Sequence, residues 1–452
     1  MRKTITKLGI CCSLFLSLAG TASAQSADST FKPSGKLWGY AFGDLAYKGS
    51  GDTVGSSPAT AQNGGRGGSN QYTKVPPNTN MFQFRRIYLG YDYNISAKFS
   101  AEFLLAAEDD WAGGIVPGTG DVLANNKFSP YVKLANLRWK NIIPNGDLVI
   151  GQSATPTFAK NGSGMASEEA WGYRSIERTI TDIRRTGSFD FGLKLEGKFD
   201  HDGRFGYVAM VANGNGAKAE TDMYKWCYGD IWAKLFDKKL IIDLYQDYEK
   251  LNWGVWAPGA KAGVESPNGP RYQDRNMTKL YVAYAVPKLT VGFEGFMNTL
   301  MGDVIVAGVD KNTYYRTTKA MGLSLFVKGR ITPEKWGFFA RFDNYDPSGN
   351  LKNIVNEVNT KSYSVSTSQY EPTTKEMFAT FGIDYTPIKN VHIMPNVWLN
   401  TYQSALDVNG SNSATTPIKY ANMGTGGSTG MVNGVKGSDA VYRLTFYYVY
   451  GK

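Results

Sequence analysis

Residues 187–213 alternate with period two. Phe189, Phe191, Leu193 and Leu195 take every second place, and Asp190, Lys194, Glu196 and Lys198 fill most of the gaps. After Asp200-His201-Asp202-Gly203 the alternation returns as Phe205, Tyr207, Ala209 and Val211. Side chains of a strand point to opposite faces in turn, so this spacing predicts a hairpin with one oily and one wet face. The pattern recurs. Ile87, Leu89, Tyr91 and Tyr93 alternate with Arg86, Tyr88, Gly90 and Asp92, and Tyr442, Leu444, Phe446, Tyr448 and Tyr450 alternate with Arg443 and Thr445 among others.

Such segments cover 36–47, 82–93, 98–109, 128–140, 147–154, 187–199, 204–213 and 223–236 in the first half. In the second half they cover 239–250, 277–286, 288–300, 316–330, 335–345, 375–386, 390–402 and 439–450. Short breaks (NISA, DHDG, DKK, PK, TPIKN) take turns with long polar stretches at 48–81, 110–127, 155–186, 251–276, 346–374 and 403–438. An even number of amphipathic strands, about sixteen, with short turns at one end and long loops at the other, predicts an all-β, closed antiparallel transmembrane β-barrel. Closure satisfies every backbone amide in hydrocarbon, where an unpaired one costs several kcal/mol. Tyr91, Tyr93, Trp139, Trp336, Tyr385, Tyr448 and Tyr450 stand near strand ends on the oily face, at the expected headgroup level. The same aromatics would suit the core of a soluble β-sandwich, but a sandwich gives no reason for long and short connections to alternate.

Composition agrees. The chain has 28 Tyr, 23 Phe, 10 Trp and 51 Gly, yet its mean hydropathy is only −0.32 and no apolar run reaches the length of a membrane helix. Arg2, Lys3 and Lys7 precede an apolar run from Leu8 to Leu18 and then Ala22-Ser23-Ala24, which predicts a secretory signal peptide over 1–24 and a barrel over 25–452. Cys11 and Cys12 lie inside that apolar run. Cys227 is then the one cysteine left, which excludes an intrachain disulfide and a cysteine-based metal site. The net charge is +10, and the leader carries three basic residues and no acidic ones, leaving +7. Export and the lack of a Lys/Arg block exclude nucleic acid as a partner. The two histidines, His201 in a turn and His392 on the wet face, offer no catalytic set, so no enzyme, metal or cofactor is expected.

A ring of about sixteen strands encloses an aqueous bore, so function rests on what narrows and charges it. The stretch 150–187 is a long connection whose second half reads as a short helix: Ser167 at its start, Glu168 and Glu169 in the first turn, Arg174 and Arg178 on one face, then Arg184 and Arg185. On the surface this is an ordinary charged loop. Folded inward, its guanidinium groups line a constriction suited to phosphate or carboxylate. The expected bore face mixes Arg86, Arg138, Lys194, Lys198, Lys234, Lys279, Lys328, Arg341 and Arg443 with Asp92, Glu102, Glu196, Asp230, Asp243, Asp247, Glu294, Asp343 and Asp384.

Gly151-Gln152 with Pro156, then Ser175-Ile176-Glu177-Arg178, Arg184-Arg185 and Gly187 resemble the phosphate-selective porin O and P family of Gram-negative outer membranes. KLANLRWKN and VPKLTVGFE are similar to porins of the Bacteroidetes type. The resemblance implies a homotrimeric passive channel, both termini periplasmic, its third loop folded inward, and an anion preference set by basic bore residues. The residues to which it gives that role are Arg174, Arg178, Arg184 and Arg185 with Arg86, Arg138 and Lys194. Small anionic or neutral hydrophilic solutes, outer-membrane lipid and lipopolysaccharide are then its partners. Two alternatives stay open: a general diffusion or sugar pore without anion preference, and a barrel adhesin or structural protein whose long loops bind.

Overall fold

A computed structural model describes residues 31–51, 77–108, 130–157, 180–181, 188–220, 223–252, 272–307, 313–333, 335–346, 349–350, 364–367, 374–404 and 436–451. The expected signal peptide lies outside them. The strands of the first half are β1 (Ser34–Ser50), β2 (Thr79–Asn94), β3 (Phe99–Glu108), β4 (Pro130–Ile143), β5 (Gly146–Ala154), β6 (Phe189–Lys198), β7 (Phe205–Ala212) and β8 (Trp226–Leu235). They are followed by β9 (Leu240–Asn252), β10 (Tyr272–Val286), β11 (Leu289–Ala307), β12 (Thr313–Arg330), β13 (Trp336–Asp346), β14 (Ser364–Thr367), β15 (Thr374–Ile388), β16 (Val391–Ser404) and β17 (Lys436–Tyr450).

Sixteen of these form one antiparallel ring. Each pairs with its neighbour in the chain, β13 pairs directly with β15, and β1 pairs with both β2 and β17, so the ring has no edge. The four-residue β14 stands outside the count and adds to the far end of β11. Each of the sixteen expected segments falls on one strand of the ring. The strands outrun them in places: β11 and β12 continue to a pair between Ala307 and Thr313.

The ring is inside-out relative to a water-soluble domain. Leu325, Leu323 and Phe191 are 54%, 51% and 52% exposed, whereas Glu294, Asp343 and Arg443 are 4% exposed or less. An oily surface this extensive suits hydrocarbon, and the polar positions of the same strands turn inward. No described helix is long and apolar enough to cross a membrane.

One rim carries the tight turns, and local chemistry closes them. Ser96 accepts from the amides of Lys98 and Phe99. Asp200 accepts from those of Arg204 and Phe205, and the Phe205 amide foremost holds its carboxyl below the usual range. Thr332 accepts from Trp336. Asn145 and Asn390 take left-handed backbone angles (φ 56° and 69°), which Asn tolerates well. The expected aromatic girdle stands at this rim. Tyr91 stacks on Tyr93 at 6.0 Å, Trp336 meets Tyr385 at 4.6 Å, and Tyr448 meets Tyr450 at 6.5 Å.

Candidate functional site

The bore is built from the inward residue of every second position. On β1 these are Tyr40, Phe42, Asp44, Ala46 and Lys48, and on β17 they include Asp439, Val441, Arg443 and Thr445. Where β1 and β17 meet, Arg443 donates from Nη2 to both Asp44 oxygens at 2.7 and 2.8 Å, and Thr445 donates to Asp44 at 2.6 Å. Arg85 approaches Asp44 at 3.9 Å, and Lys48 pairs with Asp439 at 2.9 Å. Arg443 also lies over Trp398, its Cζ 3.6 Å from the ring centre. A guanidinium between a carboxylate and an indole face is held in one orientation.

Two bulges bring in cations that strict alternation assigns to lipid. In β2, Phe42 stands opposite Arg86 and Gly43 opposite Phe84, so Arg85 is an extra residue. The outward parity changes there from Phe82 and Phe84 to Ile87 and Leu89, and both Arg85 and Arg86 are buried. In β4, Leu104 stands opposite Leu134 and Leu105 opposite Val132, which leaves Lys133 as the extra residue. Lys133 donates to the Tyr88 hydroxyl at 2.6 Å and lies 4.9 Å from that ring's centre. A bulge re-aims a side chain at the cost of ladder bonds. Gln152 repairs the loss: its Nε2 donates to the carbonyls of Val132 and Lys133, both at 3.0 Å. Gly151 beside it has φ 117°, and a Cβ there would stand 2.5 Å from the Ala135 carbonyl. The pair Gly151-Gln152 therefore has a local structural role.

The residues expected to charge the bore are distributed as follows. Arg86 faces inward, 5.8 Å from the Phe42 ring centre. Arg138 bridges Asp147 at 2.9 Å and Glu196 at 2.5 Å. Lys194 is 3.2 Å from Glu196 and also donates to the Ala154 carbonyl. Arg341 forks onto Asp343. Arg174, Arg178, Arg184 and Arg185 lie outside the described residues. Arg85, Lys48, Lys133 and Arg275 belong to the same wall and escape the alternation reading. The change of apolar parity in β2 and β4 is the signal that marks two of them. Among the described residues no group of three or more His, Cys, Asp or Glu could hold a metal ion.

Both described pieces of the connection after β5 are in the bore. Thr155 and Thr157 are fully buried, and the Thr157 carbonyl accepts from Lys279 of β10. Ile180 and Thr181 are helical and fully buried. Thr181 donates to Glu294 of β11, and Ile180 joins an inward apolar cluster with Met210, Trp226, Tyr245, Met277 and Phe296. The bore face is thus less polar than alternation suggests. Val208, Met210 and Ala212 of β7 turn inward, and nearer the turn rim Tyr40, Phe42, Tyr88, Leu104 and Tyr447 form a second apolar cluster. His392, inward as expected, contacts Asp384 at 2.8 Å.

Comparison of the whole shape with solved structures finds bacterial outer-membrane channels. The chain is similar to the outer membrane channel DcaP of Acinetobacter baumannii, at 10% identity and a TM-score of 0.55 over 93% of this chain and 99% of that one. It is also similar to an anion-selective porin from Comamonas acidovorans, at 11% identity and a TM-score of 0.50 over 93% of this chain and all of that one. At such identities the likeness is one of fold: a sixteen-strand porin barrel. No protein-family model matches the chain, and no curated protein matches it in sequence.

Proposed function

We propose that this protein is a porin of the bacterial outer membrane, a homotrimer through which small hydrophilic solutes diffuse passively, with anions such as phosphate favoured. The observation that carries the channel reading is the closed ring whose exposed face is oily and whose buried face holds Asp44, Lys194, Glu294, Arg341 and Arg443. Charged groups at that depth are costly beside lipid and belong beside water or one another. The resemblance of Gly151-Gln152, Ser175–Arg178 and Arg184-Arg185 to the phosphate-selective porin O and P family supports the trimer and the anion preference.

On the wall, Arg443 answers Asp44, Lys48 answers Asp439, Arg138 answers Asp147 and Glu196, and Arg341 answers Asp343. We therefore assign the larger part of the anion preference to Arg174, Arg178, Arg184 and Arg185, with Arg86, Arg138 and Lys194 adding to it from the wall. Planar-bilayer recordings in a salt gradient test this. The wild type should give steady conductance steps and an anion-side reversal potential. Changing the four arginines together to Ala should move that potential toward cations, and an unchanged potential removes them as the filter. The pairing of the wall charges favours one second reading, a general diffusion pore, which a neutral wild-type potential would select. A barrel that conducts nothing would favour an adhesin.

A further inference from the structure

We infer that the rim of short turns is a docking surface for anionic phospholipid headgroups, a role that rests on the outer-membrane reading above. Seven turns make this rim, at 94–99, 140–146, 198–205, 235–240, 286–289, 330–336 and 386–391. Together they hold ten Lys or Arg and four Asp or Glu, a balance of +6. The whole chain carries +10, of which the expected leader accounts for three. Of the +7 left, the turns supply six and everything else, bore included, supplies one. The excess charge is a property of one rim.

The few acids there are already engaged. Asp202 answers Arg204 at 3.0 Å, Asp237 answers Lys239 at 3.4 Å, and Asp200 is taken by the amides of Arg204 and Phe205. Lys98, Lys198, Lys238, Lys288, Arg330 and Lys389, each on a different turn, are exposed and form no ion pair among the described residues. Apolar side chains stand beside them. Phe236, Phe199, Ile388 and Ile331 are 73%, 68%, 66% and 59% exposed, more than Leu325 or Phe191 on the wall. Side chains held out that far are costly in water and at home where acyl chains meet headgroups. The girdle formed by Tyr91, Tyr93, Trp336, Tyr385, Tyr448 and Tyr450 lies against the same turns and sets their depth. At that depth a long basic side chain lays its stem along hydrocarbon and its charge among phosphates. A ring that served only dissolved anions at the mouth of the bore would have no use for apolar tips. A zwitterionic headgroup brings an ammonium of its own, so unanswered cations select headgroups of net negative charge.

The test uses the full-length protein in phosphatidylcholine vesicles that carry a trace of spin-labelled phosphatidylglycerol or of spin-labelled phosphatidylcholine. Electron spin resonance reads the fraction of each label that the barrel immobilises. At low salt the wild type should hold phosphatidylglycerol about threefold or more over phosphatidylcholine, and the ratio should fall as salt rises. A variant with Lys98→Gln, Lys198→Gln, Lys238→Gln, Lys288→Gln, Arg330→Gln and Lys389→Gln should bring it near one. A wild-type ratio near one overturns the inference, and so does a six-site variant that keeps the wild-type ratio. Reversal potentials are recorded beside it. A variant that shifts its potential yet keeps its lipid preference assigns the ring to dissolved anions and overturns the lipid role. A wild type that conducts nothing overturns the porin reading alone, because the lipid ratio is read without current. Heat-dependent migration on gels shows whether each barrel is folded. If the six-site variant is not, Lys238→Gln with Lys288→Gln and Lys389→Gln decides, with about half of the preference lost.

Discussion

Replacing Asp44 by Asn keeps the volume at the junction of the first and last strands and deletes one charge. Asp44 takes two bonds from Arg443, one from Thr445 and the nearby charge of Arg85, and Asp44, Arg443 and Thr445 are all nearly or fully buried. Asn offers one acceptor oxygen and turns an NH2 group toward two guanidiniums. Removing one partner of a buried, hydrogen-bonded ion pair costs about 3–5 kcal/mol, chiefly because the other charge is left without an answer. Bore water relieves part of this, so the expected loss is near the lower end, about 3 kcal/mol. Urea unfolding of the protein refolded into lipid vesicles measures it. The double change Asp44→Asn with Arg443→Met should recover a large part of the loss, since the stranded cation is then gone. In bilayers, Asp44→Asn should also move the reversal potential toward anions. A single-variant loss below about 1 kcal/mol, the range of exposed surface pairs, would refute the claim that this junction is held by a desolvated pair.

Two further changes probe the wall. Gly151→Ala forces a left-handed backbone angle on a residue with a Cβ and sets that carbon against the Ala135 carbonyl, so a loss of about 1–3 kcal/mol in the same urea titration is expected. A Gly151→Ala protein as stable as the wild type would show that β4 and β5 can shift apart there. Leu193→Arg places a charge on the exposed face in the middle of β6 and should cost about 2–4 kcal/mol, with slowed insertion into vesicles. A neutral outcome would mean that this face does not meet hydrocarbon.

Strand number and facing were legible because lipid on one side and water on the other impose period two on the same backbone. Phe191 and Leu193 against Asp190 and Lys194 say as much without coordinates. The reading failed where one residue too many is inserted. Arg85 and Lys133 sit at bulges, and a rule that counts by twos sends both to lipid, although the displaced parity of Phe82 and Phe84 relative to Ile87 and Leu89 records the slip. It also overstated the polarity of the bore. Met210 and Ala212 of the inward face pack with Ile180, a contact between residues far apart in sequence that no local pattern encodes. The partners of Thr157 and Thr181 were hidden for the same reason: Lys279 and Glu294 follow them by more than a hundred residues.

The register that joins Tyr40 to Val449 and Leu45 to Leu444 has a kinetic consequence. Partners about four hundred residues apart can meet only after the whole polypeptide has been made, and such distant contacts are slow to form. Until then the sheet has two unpaired margins, each a template for aggregation. The nascent chain must therefore travel to its bilayer unfolded and escorted. A version shortened by its final strand should accumulate as insoluble material and never appear as a smaller ring.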